Sequence, residues 1–425
     1  MRSFKQRCLT LALAGLPLLA GCRADDEEIE RIVGPQPGGD LFARYVAVGT
    51  SISAGLQSGG INDSTQAQAY PVLLARQANA VFNIPAFPRP GCPAPYASPV
   101  VVSTARVGGA PESLCTLRAS NPPAFVSNLS IPGIYVAGFT NNAVPNNPPS
   151  ADVYETLILG GRTQAEALVA ARPTLVSVEL GSNEVLNAAY SGDPALLPST
   201  ADFQASFARV VDAVKRTPAQ EAVLLGISAF QTAAVQPGAF FFALTQGPGA
   251  LLPAAAVNAN CSPFLPTGQR NPLSGNLLYL GGALTAARAG QQISCANNAP
   301  FLLNASEFQT FVERVNAYNG VIQQAAQANQ WIYINPNTVL PLADPSKFRG
   351  CQALNLPNSA TPAPLTPAQF GAAVATTCPG PTAPNFFGSM VSFDFTHPTI
   401  EYHRTIANAI INALNAEHQL GIPRI

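Results

Sequence analysis

Arg44-Tyr-Val-Ala-Val-Gly-Thr-Ser-Ile-Ser-Ala-Gly55 is the stretch on which the reading of this chain turns. Tyr45 to Val48 is a short apolar run, long enough for a buried strand, and Gly49 ends it. Thr50, Ser51 and Ser53 then sit at a turn, followed by Gly55. A hydroxyl is thereby expected just beyond a strand end, where open α/β sheets bind their ligands. The pattern alone is weak, because a serine in this position is most often a turn or cap residue.

The same arrangement recurs downstream. Leu175 to Leu180 reads as a strand and runs into Gly181-Ser-Asn-Glu184. Ala222 to Ile227 and Trp331 to Ile334 are further strand candidates. Between them lie helical patterns. One starts at Ser64 or Thr65 and ends at Asn79, and another runs from Tyr154 to Ala171. Asp202 to Lys215 carries Phe203, Phe207, Val210, Val211 and Val214 on one face. Asn304 and Glu307 form a capping box ahead of Phe308, Phe311, Val312, Val315 and Ile322. Thr399 to Ala416 closes the series. Apolar, non-alternating strands separated by helices mark an α/β fold with a mostly parallel sheet covered on both faces. Two long stretches, about 228–304 and 344–389, read as loop insertions in a single domain spanning 41–425. The first holds Phe240, Phe241 and Phe242, for which an acyl-site lining and plain core packing are both open.

Bulk properties narrow the function. The 425 residues carry a formal charge of −1 with only 11% charged residues, which leaves no nucleic-acid footprint. The 33 glycines and 40 prolines imply long irregular loops, while 47% apolar content argues against disorder. Arg2, Lys5 and Arg7 precede the apolar run Leu9 to Leu19, the layout of an export signal. That run is short for a membrane span. The acidic Asp25 to Glu30 and the following Pro35-Gln-Pro-Gly-Gly39 read as a solvated tether. Six cysteines lie beyond it, and an even number in an exported chain favours disulfides. Nearest-neighbour pairing is expected: Cys92–Cys115, Cys261–Cys295 and Cys351–Cys378. Their spacings lack the close pairs of structural zinc, so no metal is expected.

Asp394-Phe-Thr-His397 supplies what Ser51 lacks. At this spacing the carboxylate can accept a hydrogen bond from the imidazole, fix its tautomer and stabilise the imidazolium. His397 can then take the proton of Ser51 and return it to a leaving oxygen. The competing reading makes Asp394 a helix cap and His397 a surface residue. Of the other two histidines, His403 shares a face with Ile400, Ile406, Ile410 and Leu414 and reads as a satisfied core residue. His418 falls past the last helix and reads as exposed. Gly133, after Pro132, is first a type II turn glycine and second a point of close backbone approach to a ligand.

These blocks together resemble the SGNH, or GDSL-type, hydrolase family: Gly49-Thr-Ser51, Asn128-Leu-Ser-Ile-Pro-Gly133, Gly181-Ser-Asn183-Glu184 and Asp394-Phe-Thr-His397. The resemblance implies a flavodoxin-like three-layer α/β/α sandwich and carboxylic ester hydrolysis without a cofactor. It implies Ser51 as nucleophile, His397 as base and Asp394 as its orienter. The backbone N–H groups of Ser51 and Gly133 and the side chain of Asn183 would form the oxyanion hole. Thr50 and Glu184 stand where the family usually has Asp; neither departure touches a proton-transfer role, and both bear on how the nucleophile turn is braced. Leu19-Ala-Gly-Cys22 likewise resembles a bacterial lipoprotein signal. It implies removal of residues 1–21, lipidation of Cys22, a tether over 22–40 and sorting to the outer membrane. The expected substrate is an acyl ester, with lysophospholipids and other acyl lipids as candidates. A carbohydrate or polymer deacetylase and a non-catalytic anchored lipoprotein are the alternatives. No sequence feature sets an oligomeric state.

Overall fold

Tyr45–Gly49 (β1) is buried at all five positions, as a strand with both faces covered must be. Three more strands continue its sheet: Leu175–Glu179 (β2), Glu221–Leu225 (β3) and, after the insertion, Ile332–Ile334 (β7). They are all parallel, in the order β1-β2-β3-β7. A second, antiparallel sheet is built inside the first insertion from Val235–Pro237 (β4), Leu277–Tyr279 (β5) and Leu302–Leu303 (β6). The computed structural model behind this description covers residues 38–110, 125–142, 153–228, 235–246, 250–342, 344, 347–348 and 386–425. The expected signal segment, Cys22, Cys115, Cys351 and Cys378 lie outside the described residues.

The helices that concern the site are Ser51–Ala54 (α1), Tyr70–Gln77 (α2), Gln164–Ala171 (α3), Ser182–Ser191 (α4), Thr200–Lys215 (α5), Gly238–Ala243 (α6), Leu280–Arg288 (α7), Ala305–Asn329 (α8) and Ile400–His418 (α9). α2 packs on α9, while α5 packs on both α3 and α8. α8 also covers β3 and β7, and α4 packs against β5 and α7 of the insertion. The result is an α/β fold of mixed parallel and antiparallel sheets with surrounding helices. No helix among the described residues is long and apolar enough to cross a membrane.

Several expectations shift by local chemistry. The Ser64/Thr65 helix is two pieces: Asn62, not Ser64 or Thr65, caps a single turn at Asp63–Gln66, and α2 restarts at Tyr70 with Pro71 in its first turn. The 154–171 helix also divides. A π-helical turn at Glu155–Leu159 ends at Gly160 with φ +66°, and α3 begins anew behind a Thr163/Glu166 capping box. Phe240 and Phe241 are core residues, 2% and 0% exposed, so packing is the reading that holds for both. Cys261 and Cys295 form a disulfide within the insertion, and Cys92 is disulfide-bonded as well. His418 is exposed as expected but is the last residue of α9 rather than past its end, and its Nε2 lies 2.9 Å from the buried Glu221 Oε2.

Candidate active site

The register of the parallel sheet aligns Gly49 with Glu179, Glu179 with Leu225, and Leu225 with Ile334. The segments after these four residues therefore share one edge, the carboxyl edge where such sheets bind ligands. Ser51 emerges there, not in a simple turn but as the first residue of α1. Thr50 caps that helix, its Oγ1 accepting from the Ile52 N–H at 3.4 Å. Gly49 is required by close approach: a Cβ would lie 2.5 Å from Ser53 Oγ and 2.7 Å from the Glu179 carbonyl oxygen.

Glu179, at the end of β2, binds this turn from below. Its Oε2 accepts from Thr50 Oγ1 at 2.7 Å, the Thr50 N–H at 3.2 Å and Ser53 Oγ at 3.1 Å. Its Oε1 accepts from Ser182 Oγ at 2.9 Å, so one carboxylate ties the Ser51 turn to the start of α4. Burial pushes its pKa up, and the hydrogen bonds from Thr50, Ser182 and Ser53 oppose that shift. The sequence reading missed Glu179 because an acid at a strand end looks like an ordinary polar stop. Its partner at 182 is local, but those at 50 and 53 become neighbours only through strand pairing.

The Asp394 loop is delivered by the chain just after α1. The Ser58 N–H donates to Ser392 Oγ at 2.8 Å, the Phe393 N–H to Ser58 Oγ at 3.2 Å, and the Gly59 N–H to Asp394 Oδ2 at 2.5 Å. Arg106 fastens the other side of that clamp, donating from Nη1 to the Gly59 carbonyl at 2.9 Å while its guanidinium stacks on Tyr96. Asp394 Oδ1 accepts from Ser392 Oγ and from the N–H groups of Thr396 and His397, at 3.0, 3.1 and 2.9 Å. Between them Phe395 holds a left-handed φ of +57°, costly for a bulky residue. Its buried ring packs on Tyr279 of β5 and on Phe387, which holds the kink in place.

That kink folds His397 back over Asp394. His397 Nδ1 lies 2.6 Å from Asp394 Oδ2, and its Nε2 lies 2.9 Å from Ser51 Oγ. A carboxylate only accepts, so Nδ1 carries the proton and Nε2 is left as the acceptor facing the serine hydroxyl. Burial alone would raise the Asp394 pKa, but the charge and hydrogen bonds of His397 and the Thr396 N–H hold it below the usual carboxylate value. Ser51 and Asp394 are each 6% exposed, whereas the His397 side chain retains 16%. Such a line can pass the serine proton to a histidine whose positive charge is balanced by a fixed carboxylate.

Gly133 and Asn183 come to the same edge by separate routes. The 128–133 segment runs beside β1: the Leu129 N–H donates to the Ala47 carbonyl at 2.8 Å and the Ile131 N–H to that of Gly49 at 2.9 Å. Gln164 bridges the two, giving Nε2 hydrogen bonds to the Gly49 and Leu129 carbonyls at 2.8 and 2.9 Å. The turn Ile131-Pro-Gly-Ile134 closes through a 3.3 Å bond, with Gly133 at φ +87°, the left-handed position a type II turn demands. Asn183, in the first turn of α4, donates from Nδ2 to the Ile134 carbonyl at 2.8 Å. Its neighbour Glu184 accepts from the Val136 N–H at 2.6 Å, so both residues anchor the turn that carries Gly133. Burial raises the Glu184 pKa to about 7, and Oε2 has no hydrogen-bond partner among the described residues. The N–H groups of Ser51 and Gly133 make no hydrogen bond among the described residues.

His403 lies deeper. Its Nδ1 accepts from the Tyr70 N–H at 3.2 Å, but Nε2 is buried without a partner, so it is a core histidine only half satisfied. Burial lowers its pKa to about 3, which leaves it neutral. Among the described residues no group of three His, Cys, Asp or Glu side chains is placed to hold a metal ion.

A comparison with known protein families finds no matching family, and one with curated proteins finds no match. Among solved structures, the chain is similar to a catalytic mutant of Axe2, an acetylxylan esterase from Geobacillus stearothermophilus. The likeness covers 90% of this chain and 96% of that chain at 11% identity, with a TM-score of 0.35. A likeness this distant bears on neither the fold nor the activity of this chain.

Proposed function

We propose that the chain is a serine hydrolase of the SGNH, or GDSL-type, class that cleaves carboxylic esters. The observation that carries this reading is the Ser51–His397–Asp394 line, with hydrogen-bond distances of 2.9 and 2.6 Å. In this reading Ser51 Oγ attacks the ester carbonyl carbon while His397 Nε2 takes its proton. Asp394 holds the imidazole and balances the imidazolium. Collapse of the tetrahedral intermediate breaks the bond to the alkoxide, which leaves with the proton from His397. Water then attacks the acyl-Ser51 ester, gives its proton to His397, and the acid departs as that proton returns to Ser51. The Ser51 and Gly133 N–H groups and the Asn183 amide serve the oxyanion, the term that usually contributes most.

The same reading takes residues 41–425 as one three-layer α/β/α domain with two insertions. It takes residues 1–21 as a lipoprotein signal, with Cys22 lipidated and 22–40 as tether, at the outer membrane. An acyl ester, including membrane-derived acyl lipids, is the substrate class. The test is hydrolysis of p-nitrophenyl esters from acetate to palmitate, alongside Ser51→Ala and a fluorophosphonate probe. Serine-dependent turnover with labelling lost in Ser51→Ala supports the reading, and activity limited to acetate moves it to a deacetylase. A folded chain that neither turns over nor labels is a non-catalytic lipoprotein.

A further inference from the structure

One cavity among the described residues does not open on the serine side of α4. It has a volume of about 140 Å³ and is walled by α4, the insertion and α8. Asn183 and Val185 are two positions apart, hence about 200° apart around the helix, whereas Val185 and Ala189 share a face. Asn183 and Tyr190 lie on the other face, where Tyr190 stacks on Tyr279 at 4.1 Å. Val185 and Ala189 line the cavity, so it lies behind the helix that carries Asn183.

Its chemistry is divided along its depth. The floor is apolar and closed, with Val185, Ala189, Val235 and Leu303 each at most 2% exposed. Phe311 and Val315 of α8 add an apolar wall, and the half-buried Val312 stands nearer the mouth. The rim is made of amides: Asn316 is exposed, Asn335 follows β7, and Asn337 donates to the Ile227 carbonyl at 3.0 Å. Asn335 Oδ1 accepts from the Asn337 N–H at 3.0 Å, and its side-chain NH₂ is a further donor at the rim. Among the described residues no charged side chain lines the space.

We propose that this cavity is a second ligand site, distinct from the Ser51 site, that takes a neutral amphiphile with an unbranched tail of about six carbons. An apolar cavity of about 150 Å³ stays dry and admits a benzene-sized molecule, which sets the tail length. The amide rim suits a hydroxyl or carbonyl head. A carboxylate or ammonium head finds no countercharge there and would lose its hydration.

The test uses hexan-1-ol on the full chain, with the Leu and Val methyl groups observed by NMR. Saturable shifts of Val185, Val235, Leu303 and Val315 are expected, with a Kd of about 1 mM or tighter. Butan-1-ol should bind roughly fifteenfold more weakly, about fourfold per methylene. Val312→Trp, filling the mouth, should weaken binding at least about tenfold. If that variant does not fold, Asn335→Ala should weaken hexan-1-ol about threefold or more while benzene binding holds. Silent methyl groups or shifts that never saturate overturn the proposal. So does competitive inhibition of Ser51-dependent ester hydrolysis with an inhibition constant equal to the Kd, because the cavity would then be the acyl end of the ester site. A chain without hydrolytic activity leaves the NMR result standing by itself, so the two readings fail separately.

Discussion

The Ser392–His397 loop and the first turn of α4 each bury a carboxylate, and the two environments act on it in opposite directions. Asp394 is met by Ser392 Oγ, by the N–H groups of Gly59, Thr396 and His397, and by the His397 ring, and its pKa stays low. At Glu184 burial dominates, opposed by the N–H of Val136 and its own N–H and reinforced by the charge of Glu179, and its pKa rises to about 7. Burial is common to both, so the difference lies first in the His397 charge beside Asp394 and then in the donors the backbone delivers. A loop kinked at Phe395 turns its own N–H groups inward onto Asp394. The first turn of α4 gives Glu184 only its own N–H and borrows that of Val136 from a neighbouring segment. The first arrangement keeps a charge ready to balance an imidazolium. The second holds an acid as a structural strut.

The sharpest way to break this contrast is to remove the charge on the loop side. Asp394→Asn should lower kcat by about 10³ to 10⁴ with little change in KM, since the wrong His397 tautomer would then face Ser51. Steady-state ester kinetics test this, and a loss below about tenfold would falsify the orienting role. Ser51→Ala should lose at least as much, together with all fluorophosphonate labelling.

On the α4 side, Asn183→Ala should cost about a hundredfold in kcat through the oxyanion hole, with the fold unchanged by circular dichroism. An unaltered rate would remove Asn183 from the hole. Glu179→Gln comes next. The amide offers one acceptor oxygen where the carboxyl group offers two, so it can keep only some of the contacts to Thr50, Ser53 and Ser182. A fall of roughly tenfold in kcat is expected, uniform across acyl chain lengths, because a small displacement of the nucleophile is costly. A change confined to KM would instead place Glu179 outside the positioning of Ser51.

The smallest effect on turnover, and the clearest on stability, belongs to Glu184. Its pKa is raised on folding, from the ordinary 4.5 to about 7. Its contribution is therefore complete below pH 4.5 and is lost as pH rises through 7, a fall of about 3 kcal/mol. Asp394, with a lowered pKa, acts in the other sense and loses its contribution as the medium turns acid. Urea unfolding of Glu184→Gln at pH 5 and pH 8 should lack the wild-type decline over that interval. An identical decline in both proteins would assign it to another group.

Much of the sheet was legible in the sequence. Tyr45–Gly49, Leu175–Glu179 and Glu221–Leu225 are buried on both faces, and that requirement writes near-continuous apolar runs into the chain. The Asn304/Glu307 capping box was legible because its partners are three residues apart. The helix expected over 154–171 was misread, since periodicity continues through Gly160 and Gly161 although the backbone does not.

The site divides along the same line. Sequence by itself determined which residue types sit beyond which strand ends, and in what order: a serine, an Asn-Glu pair, then an acid and a histidine three apart. Those are local features, readable because strand and helix signals are local. Only the tertiary structure decided that Glu179 grips Thr50, Ser53 and Ser182, that Gly59 and Arg106 secure the Asp394 loop, and that Val185 turns a cavity away from Asn183. Apart from Glu179–Ser182 and the facing of Val185, those contacts join residues far apart in the chain. They exist because parallel strands in register bring distant loops to one edge, and no pattern along a single stretch encodes that meeting.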